Sequence, residues 1–260
     1  LRGAGGNVSM AVNGDLYVST VNEGIFKSVN AGASWTPVNT GLPYLQGQGM
    51  AVRNHPTNSQ IVWALFDSDA LGVYQSVDGG ATWASISGNL STFSTNAMRT
   101  QEITVDTATS THYLATNAGM FKSTNGGTTW IQFYNASGAG HVRLDTSTSP
   151  ATVYWSTTVN DSLNNPQASS GLYKSTDQGV SYTQILSGFL VQNMRVVRAN
   201  NWTRIFVSSQ NPSSGLNQSR VLKSLDGGKT WQSDSAGIRH QWVNSFDAVS
   251  YTHLTLPTKA

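Results

Sequence analysis

The sequence predicts an all-β chain made of five similar units, each with four short strands, and two observations carry that prediction. The first is a motif, Ser-x-Asp/Asn-x-Gly-x-Ser/Thr-Trp/Tyr, that occurs five times. Its copies run from Ser28 to Trp35, Ser76 to Trp83, Ser123 to Trp130, Ser175 to Tyr182 and Ser224 to Trp231. The serines stand 48, 47, 52 and 49 residues apart, and self-similarity at such a period signals one supersecondary unit per repeat. The second is the set of four apolar runs of strand length, separated by polar turns, around every copy. Four antiparallel strands per period is the blade of a β-propeller.

The strands are taken as A to D in chain order. Strand A is read at Val8 to Val12, Met50 to Val52, Ile103 to Val105, Val142 to Leu144, and Val196 with Val197. Strand B is aliphatic and aromatic: Leu16 to Val18, Ile61 to Leu65, Tyr113 to Ala115, Val153 to Trp155 and Ile205 to Val207. Strand C leads into the motif, as in Gly24 to Lys27 or Gly171 to Lys174, and strand D opens at the motif aromatic, as in Trp130 to Phe133. The motif therefore spans the C-to-D hairpin. Asp or Asn at its third position suits bonding to backbone amides of its own turn, and Gly at its fifth supplies a positive φ. The aromatic is expected in the apolar layer of the blade. On this reading Ser28, Asn30, Gly32, Trp35, Ser76, Asp78, Gly80, Trp83, Ser123, Asn125, Gly127 and Trp130 are structural. So are Ser175, Asp177, Gly179, Tyr182, Ser224, Asp226, Gly228 and Trp231.

The blades fall at about 7–40, 47–88, 98–135, 140–187 and 193–235, with a sixth beginning at 241–248. Segment 249–260 matches no blade and reads as a non-native tail, set aside from the fold. Closing a ring of six to eight blades takes roughly 290 to 390 residues at this period, so the 260-residue chain is expected to be a fragment.

Charged residues make up only 11% of the chain, with 15 basic against 13 acidic, and no Lys/Arg cluster appears. Nucleic acid is therefore not the expected partner. No apolar stretch reaches the roughly 20 residues of a membrane span. Cysteine is absent, so disulfides contribute nothing. The histidines His55, His112, His141, His240 and His253 lack metal-ligand spacing, and no metal or cofactor is expected. Low charge with abundant Ser, Thr and Asn fits a secreted or cell-surface bacterial protein.

The five motifs resemble the Asp-box, or bacterial neuraminidase repeat, and the chain from residue 7 to about 247 resembles the sialidase-like superfamily of β-propellers. The spelling Gly-apolar-Tyr/Phe-Lys-Ser-x-Asp-x-Gly-x-Thr-Trp is similar to secreted bacterial repeat proteins and to the propellers of xyloglucan-degrading glycoside hydrolases. This resemblance implies a fold more firmly than an activity.

Strand alternation places the D-to-A and B-to-C loops on one face and the motifs on the other. Carboxylates on the loop face are Glu23, Asp67, Asp69, Glu102 and Asp161. Glycoside hydrolysis uses two carboxylates, about 5 Å apart for retention and roughly 6.5–9.5 Å for inversion. Asp67 and Asp69 are the candidate catalytic pair, in a loop similar in position to the acid-bearing loop of the xyloglucan hydrolases. Tyr44, Phe93, Phe189 and Trp242 offer rings for stacking on sugars. Gln48, Gln101 and Asn193 share one offset before the end of strand A, and Arg99 neighbours them. Their amides and guanidinium can bond hydroxyls. The ligand-binding candidates are thus Tyr44, Gln48, Arg99, Gln101, Asn193 and Trp242. A sialidase-like arginine triad would draw on Arg99, Arg143, Arg195 or Arg239, but the Phe/Tyr-Arg-Ile-Pro signature is missing. The expected partner is a glycan or polysaccharide, with protein recognition as the alternative and exo-sialidase third.

Overall fold

The computed structural model describes residues 7–43, 50–66, 72–93, 98–135, 138–157, 170–199, 202–210 and 219–234. They form five four-stranded antiparallel sheets, each a simple meander in chain order. Blade one holds β1 (Val8–Met10), β2 (Leu16–Thr20), β3 (Gly24–Ser28) and β4 (Thr36–Pro37). Blade two holds β5 (Met50–Asn54), β6 (Val62–Phe66), β7 (Val73–Ser76) and β8 (Ala84–Ser85). Blade three holds β9 (Thr100–Asp106), β10 (Thr111–Thr116), β11 (Gly119–Ser123) and β12 (Ile131–Tyr134). Blade four holds β13 (Ala139–Asp145), β14 (Thr152–Thr157), β15 (Gly171–Ser175) and β16 (Thr183–Ser187). Blade five holds β17 (Leu190–Ala199), β18 (Trp202–Gln210), β19 (Ser219–Ser224) and β20 (Gln232–Ser233).

The apolar cores lie between blades. One joins Tyr17 and Ile25 of blade one to Val52, Ala64 and Trp83 of blade two. A second joins Trp63 and Leu65 to Ile103, Leu114 and Trp130. A third joins Tyr113 and Met120 to Val142 and Trp155, and a fourth joins Tyr154 and Leu172 to Met194 and Val207. Successive residues of the second strand therefore point into different cores, so β6, β10 and β14 are buried along their whole length. That two-sided burial explains why their sequences are nearly continuous apolar runs instead of alternating ones.

Pairing registers make Val8, Val52, Ile103, Val142 and Met194 equivalent. The last four face the preceding blade and are buried, whereas Val8 is 63% exposed and its neighbour Met10 69%. Among the described residues nothing covers that side of blade one.

The motif closes its own turn. In blade two the Ser76 hydroxyl donates to Asp78 Oδ1 and accepts the amides of Asp78 and Gly80. Asp78 in turn accepts the Thr82 amide on Oδ1 and the Thr82 hydroxyl on Oδ2. Blades one and three use Asn30 and Asn125, whose Oδ1 accepts the same amide while Nδ2 donates to Ser34 or Thr129. The aromatic, expected within its own blade, instead packs on the blade before it. The indole N–H groups of Trp83, Trp130 and Trp231 donate to the carbonyls of Val38, Ile86 and Ile185 at 2.9, 2.9 and 2.7 Å. Gly127 meets the same strand. Its φ is +87°, and a Cβ there would lie 2.6 Å from the Ile86 carbonyl oxygen. The fifth-position glycine is thus fixed both by conformation and by the approach of two blades. Tyr182 departs from the expected burial: it is 44% exposed and rests edge-on against Tyr134 and Trp155.

Candidate axial binding site

The first strands of the blades place polar side chains in two tiers. Asn7, Ala51, Glu102, His141 and Asn193 occupy equivalent positions, and two residues on come Ser9, Arg53, Thr104, Arg143 and Arg195. Most of these residues line one cavity of about 300 Å3: Asn7, Ser9, Arg53, Glu102, His141, Arg143, Asn193 and Arg195, with Val8. One polar cavity built from five blades follows from the blade pattern, because the side chains that do not enter an inter-blade core converge on the axis.

Glu102 is the hub. It is buried, with Arg53 Nε at 3.4 Å from one carboxylate oxygen and Arg143 and His141 at the other, the His141 Nδ1 at 3.2 Å. The Val142 amide adds a hydrogen bond at 3.1 Å. Burial alone would raise the carboxyl's pKa, but the Arg143 charge, the His141 hydrogen bond and the Arg53 charge together hold it well below the usual carboxylate range. His141 also presents Nε2 to the Gln192 carbonyl at 2.8 Å. Both ring nitrogens thus face oxygen atoms, one of the Glu102 carboxylate and one of the Gln192 carbonyl. One carboxylate thus ties blades two, three and four, and His141 extends the tie to blade five.

Chemically, the cavity donates. Three guanidiniums line it, two of them paired with its one carboxylate, and Asn7, Ser9 and Asn193 add amide and hydroxyl groups. Glu102 is the only acid lining it among the described residues, and its oxygens are already engaged. It is poorly placed to serve as a proton donor or a nucleophile, and glycoside cleavage would require carboxylates from elsewhere.

Of the predicted ligand residues, Arg99 and Gln101 are exposed at the start of β9. The Arg99 amide donates to Asn117 Oδ1, and the Gly138 amide to the Asn117 carbonyl, so D-to-A segments meet the B-to-C turn on one face. Asn193 is buried in the axial cavity instead of standing at a loop mouth. Its shared offset with Gln101 does not survive in the registers. Ile103 aligns with Met194, which pairs Asn193 with Glu102 and leaves Gln101 opposite Gln192. The offset failed because Val197 lies one residue past the position equivalent to Val105. Phe93 and Phe189 pack against inter-blade cores, Phe93 edge-on to Phe121 at 5.0 Å, and offer no open platform. Tyr44, Gln48, Asp67, Asp69 and Trp242 lie outside the described residues. The Glu102 cluster was not foreseen, although a signal existed: an apolar residue followed by Arg recurs at Val52, Val142 and Met194.

No protein-family model matches this chain, and neither does any curated protein sequence. Among solved structures it is similar to a GH74 enzyme from Niastella koreensis, with 23% identity over 90% of this chain and 38% of that one, at a TM-score of 0.63. It is also similar to the GH74 xyloglucanase of Xanthomonas campestris, with 16% identity, 89% and 45% coverage, and a TM-score of 0.58. A third likeness is YCF48 from Cyanidioschyzon merolae, with 13% identity, 88% and 71% coverage, and a TM-score of 0.55. The chain has a β-propeller fold. It spans less than half the length of either GH74 protein.

Proposed function

We propose that this chain is a glycan-binding segment of a secreted, carbohydrate-active propeller, corresponding to part of a polysaccharide glycoside hydrolase. The observation that supports this reading most is the fold likeness to two GH74 proteins, one of them a xyloglucanase. The exposed Arg99 and Gln101 are in keeping with it, since they put hydroxyl-bonding groups on the loop face. In this reading the glycan crosses that face, contacting Tyr44, Gln48, Arg99, Gln101 and Trp242, with Asp67 and Asp69 as the carboxylate pair. The Asp-box resemblance belongs to the same reading.

A non-catalytic recognition module is the second reading, favoured by the engagement of Glu102 by Arg53 and Arg143. An exo-sialidase is disfavoured by the same pairing, because two of the three axial guanidiniums already hold a carboxylate. Titration of the chain with β-glucan and xyloglucan oligosaccharides separates these readings. Binding that weakens in Arg99→Ala and Gln101→Ala supports the glycan platform, and absence of binding to any glycan transfers the assignment to protein recognition. In a complete homologous enzyme, unchanged hydrolysis after Asp67→Asn with Asp69→Asn would remove both from catalysis.

A further inference from the structure

The motif face carries an open groove at the junction of blades four and five. A contact made at two other blade junctions is missing there. The lysine one residue before the end of the third strand reaches the fourth residue of the next blade's motif: Lys27 donates to the Gly79 carbonyl at 3.2 Å, and Lys122 to the Gln178 carbonyl at 2.8 Å. Lys174 occupies the same position and lies beside Gly227, the matching motif residue. It donates to no acceptor among the described residues, and only sits over the Tyr154 ring, 5.7 Å from its centre.

The space left open there is a groove of about 380 Å3, within the range of small-molecule sites. Trp202, 62% exposed at the tip of the first hairpin of blade five, forms part of its wall. The other charged groups lining it are Arg198, Lys229, Asp145 and Asp226. Both acids are committed internally. Asp226 accepts the Ser224 and Thr230 hydroxyls and the Lys229 and Thr230 amides. Asp145 accepts the Ser147 amide and the Thr203 hydroxyl, and pairs with Arg198 at 3.7 Å. The ammonium groups of Lys174 and Lys229 remain, facing the same groove as an exposed indole.

We propose that this groove binds an anionic sugar residue, with the sugar ring stacked on Trp202 and its acid group received by Lys174 and Lys229. A flat indole matches the apolar face of a pyranose, and two ammonium groups with no acceptor among the described residues match a carboxylate or a sulfate ester, the two sources of the same chemistry. Single-stranded nucleic acid also pairs stacking with phosphate contacts, but it calls for a basic track and successive aromatic platforms. Here there is one platform, and the whole chain carries a net charge of only +2.

The site is independent of the loop-face reading, because it lies on the opposite face and uses none of the same residues. The test is calorimetric titration of the full chain at low salt with oligogalacturonate, a sulfated oligosaccharide, neutral cello-oligosaccharide and oligothymidylate. Binding of one or both acidic sugars is expected, and the one bound identifies the acid group. Lys174→Gln should weaken it about tenfold or more, the loss expected for one charge-assisted hydrogen bond. Trp202→Ala should weaken it comparably, and thermal melting of both variants should stay near the parent's, because Trp202 is exposed and the Lys174 ammonium has no acceptor among the described residues. The proposal is overturned if no acidic sugar binds, if neutral sugar or oligothymidylate binds as tightly, or if both variants bind like the parent.

Discussion

At the scale of single residues, the motif serine does more than its short side chain suggests. Ser76 is fully buried and makes three hydrogen bonds that organise the turn. Ser76→Ala should cost about 1–3 kcal/mol, the penalty for leaving buried donors unsatisfied, readable by urea unfolding. The acid at the third position behaves differently because it is exposed to solvent. Hydrogen bonds from the Thr82 hydroxyl, the Thr82 amide and Ser76 lower the pKa of Asp78 to about 2, and Ser181 with Ser175 does the same for Asp177. A carboxylate whose folded pKa is depressed stabilises the fold above its unfolded value, near 3.8, and loses that contribution as pH falls towards 2. Melting temperature should therefore drop between about pH 4 and pH 2. Asp78→Asn should melt near the parent at pH 7, since Asn30 and Asn125 make the equivalent bonds in neighbouring blades. It should also shed part of the acid-induced loss. An acid transition identical to the parent's would mean that Asp78 does not take part in it.

At the scale of elements, the motif is a rivet between blades as well as a turn. Trp130 is 1% exposed and bonded to blade two, so Trp130→Ala should cost about 3–5 kcal/mol. Trp35, at the same motif position in blade one, is only half-buried. Trp35→Ala should cost clearly less, and an equal loss at both sites would contradict the inter-blade account. This contact marks where sequence reading stops. The five blades were legible because strand runs and turn chemistry are local, and the period repeats them in register. The direction in which the indole packs was not legible, because its acceptor lies 44 to 46 residues away and depends on how sheets stack. The same limit explains Asn193. Counting back from the last apolar residue assumes that the apolar run ends at the same register position in every blade, and Val197 lies one residue past the position equivalent to Val105. Glu102 was legible as a carboxylate of the loop side but not as a hub, since its partners come from blades on either side.

At the scale of the whole molecule, a repeat array gains stability from its neighbour contacts, and the axial ion cluster is where several of those contacts meet in one carboxylate. Glu102 links β9 to Arg53 on β5 and to Arg143, His141 and the Val142 amide on β13. Glu102→Gln keeps the size of the side chain and removes its charge, leaving two guanidiniums facing a neutral amide at a buried position. Breaking a buried ion pair from one side costs about 3–5 kcal/mol, whereas an exposed substitution such as Glu23→Gln should stay within about 0.5 kcal/mol. Hydrogen exchange gives the spatial readout. Protection should fall together in β5, β9 and β13 of the Glu102→Gln protein, because the carboxylate joins those three strands, while β1 and β2 keep theirs. A stability change no larger than that of Glu23→Gln, or a loss of protection confined to β9, would reduce Glu102 to a local ion pair and remove it as the tie across blades two to four.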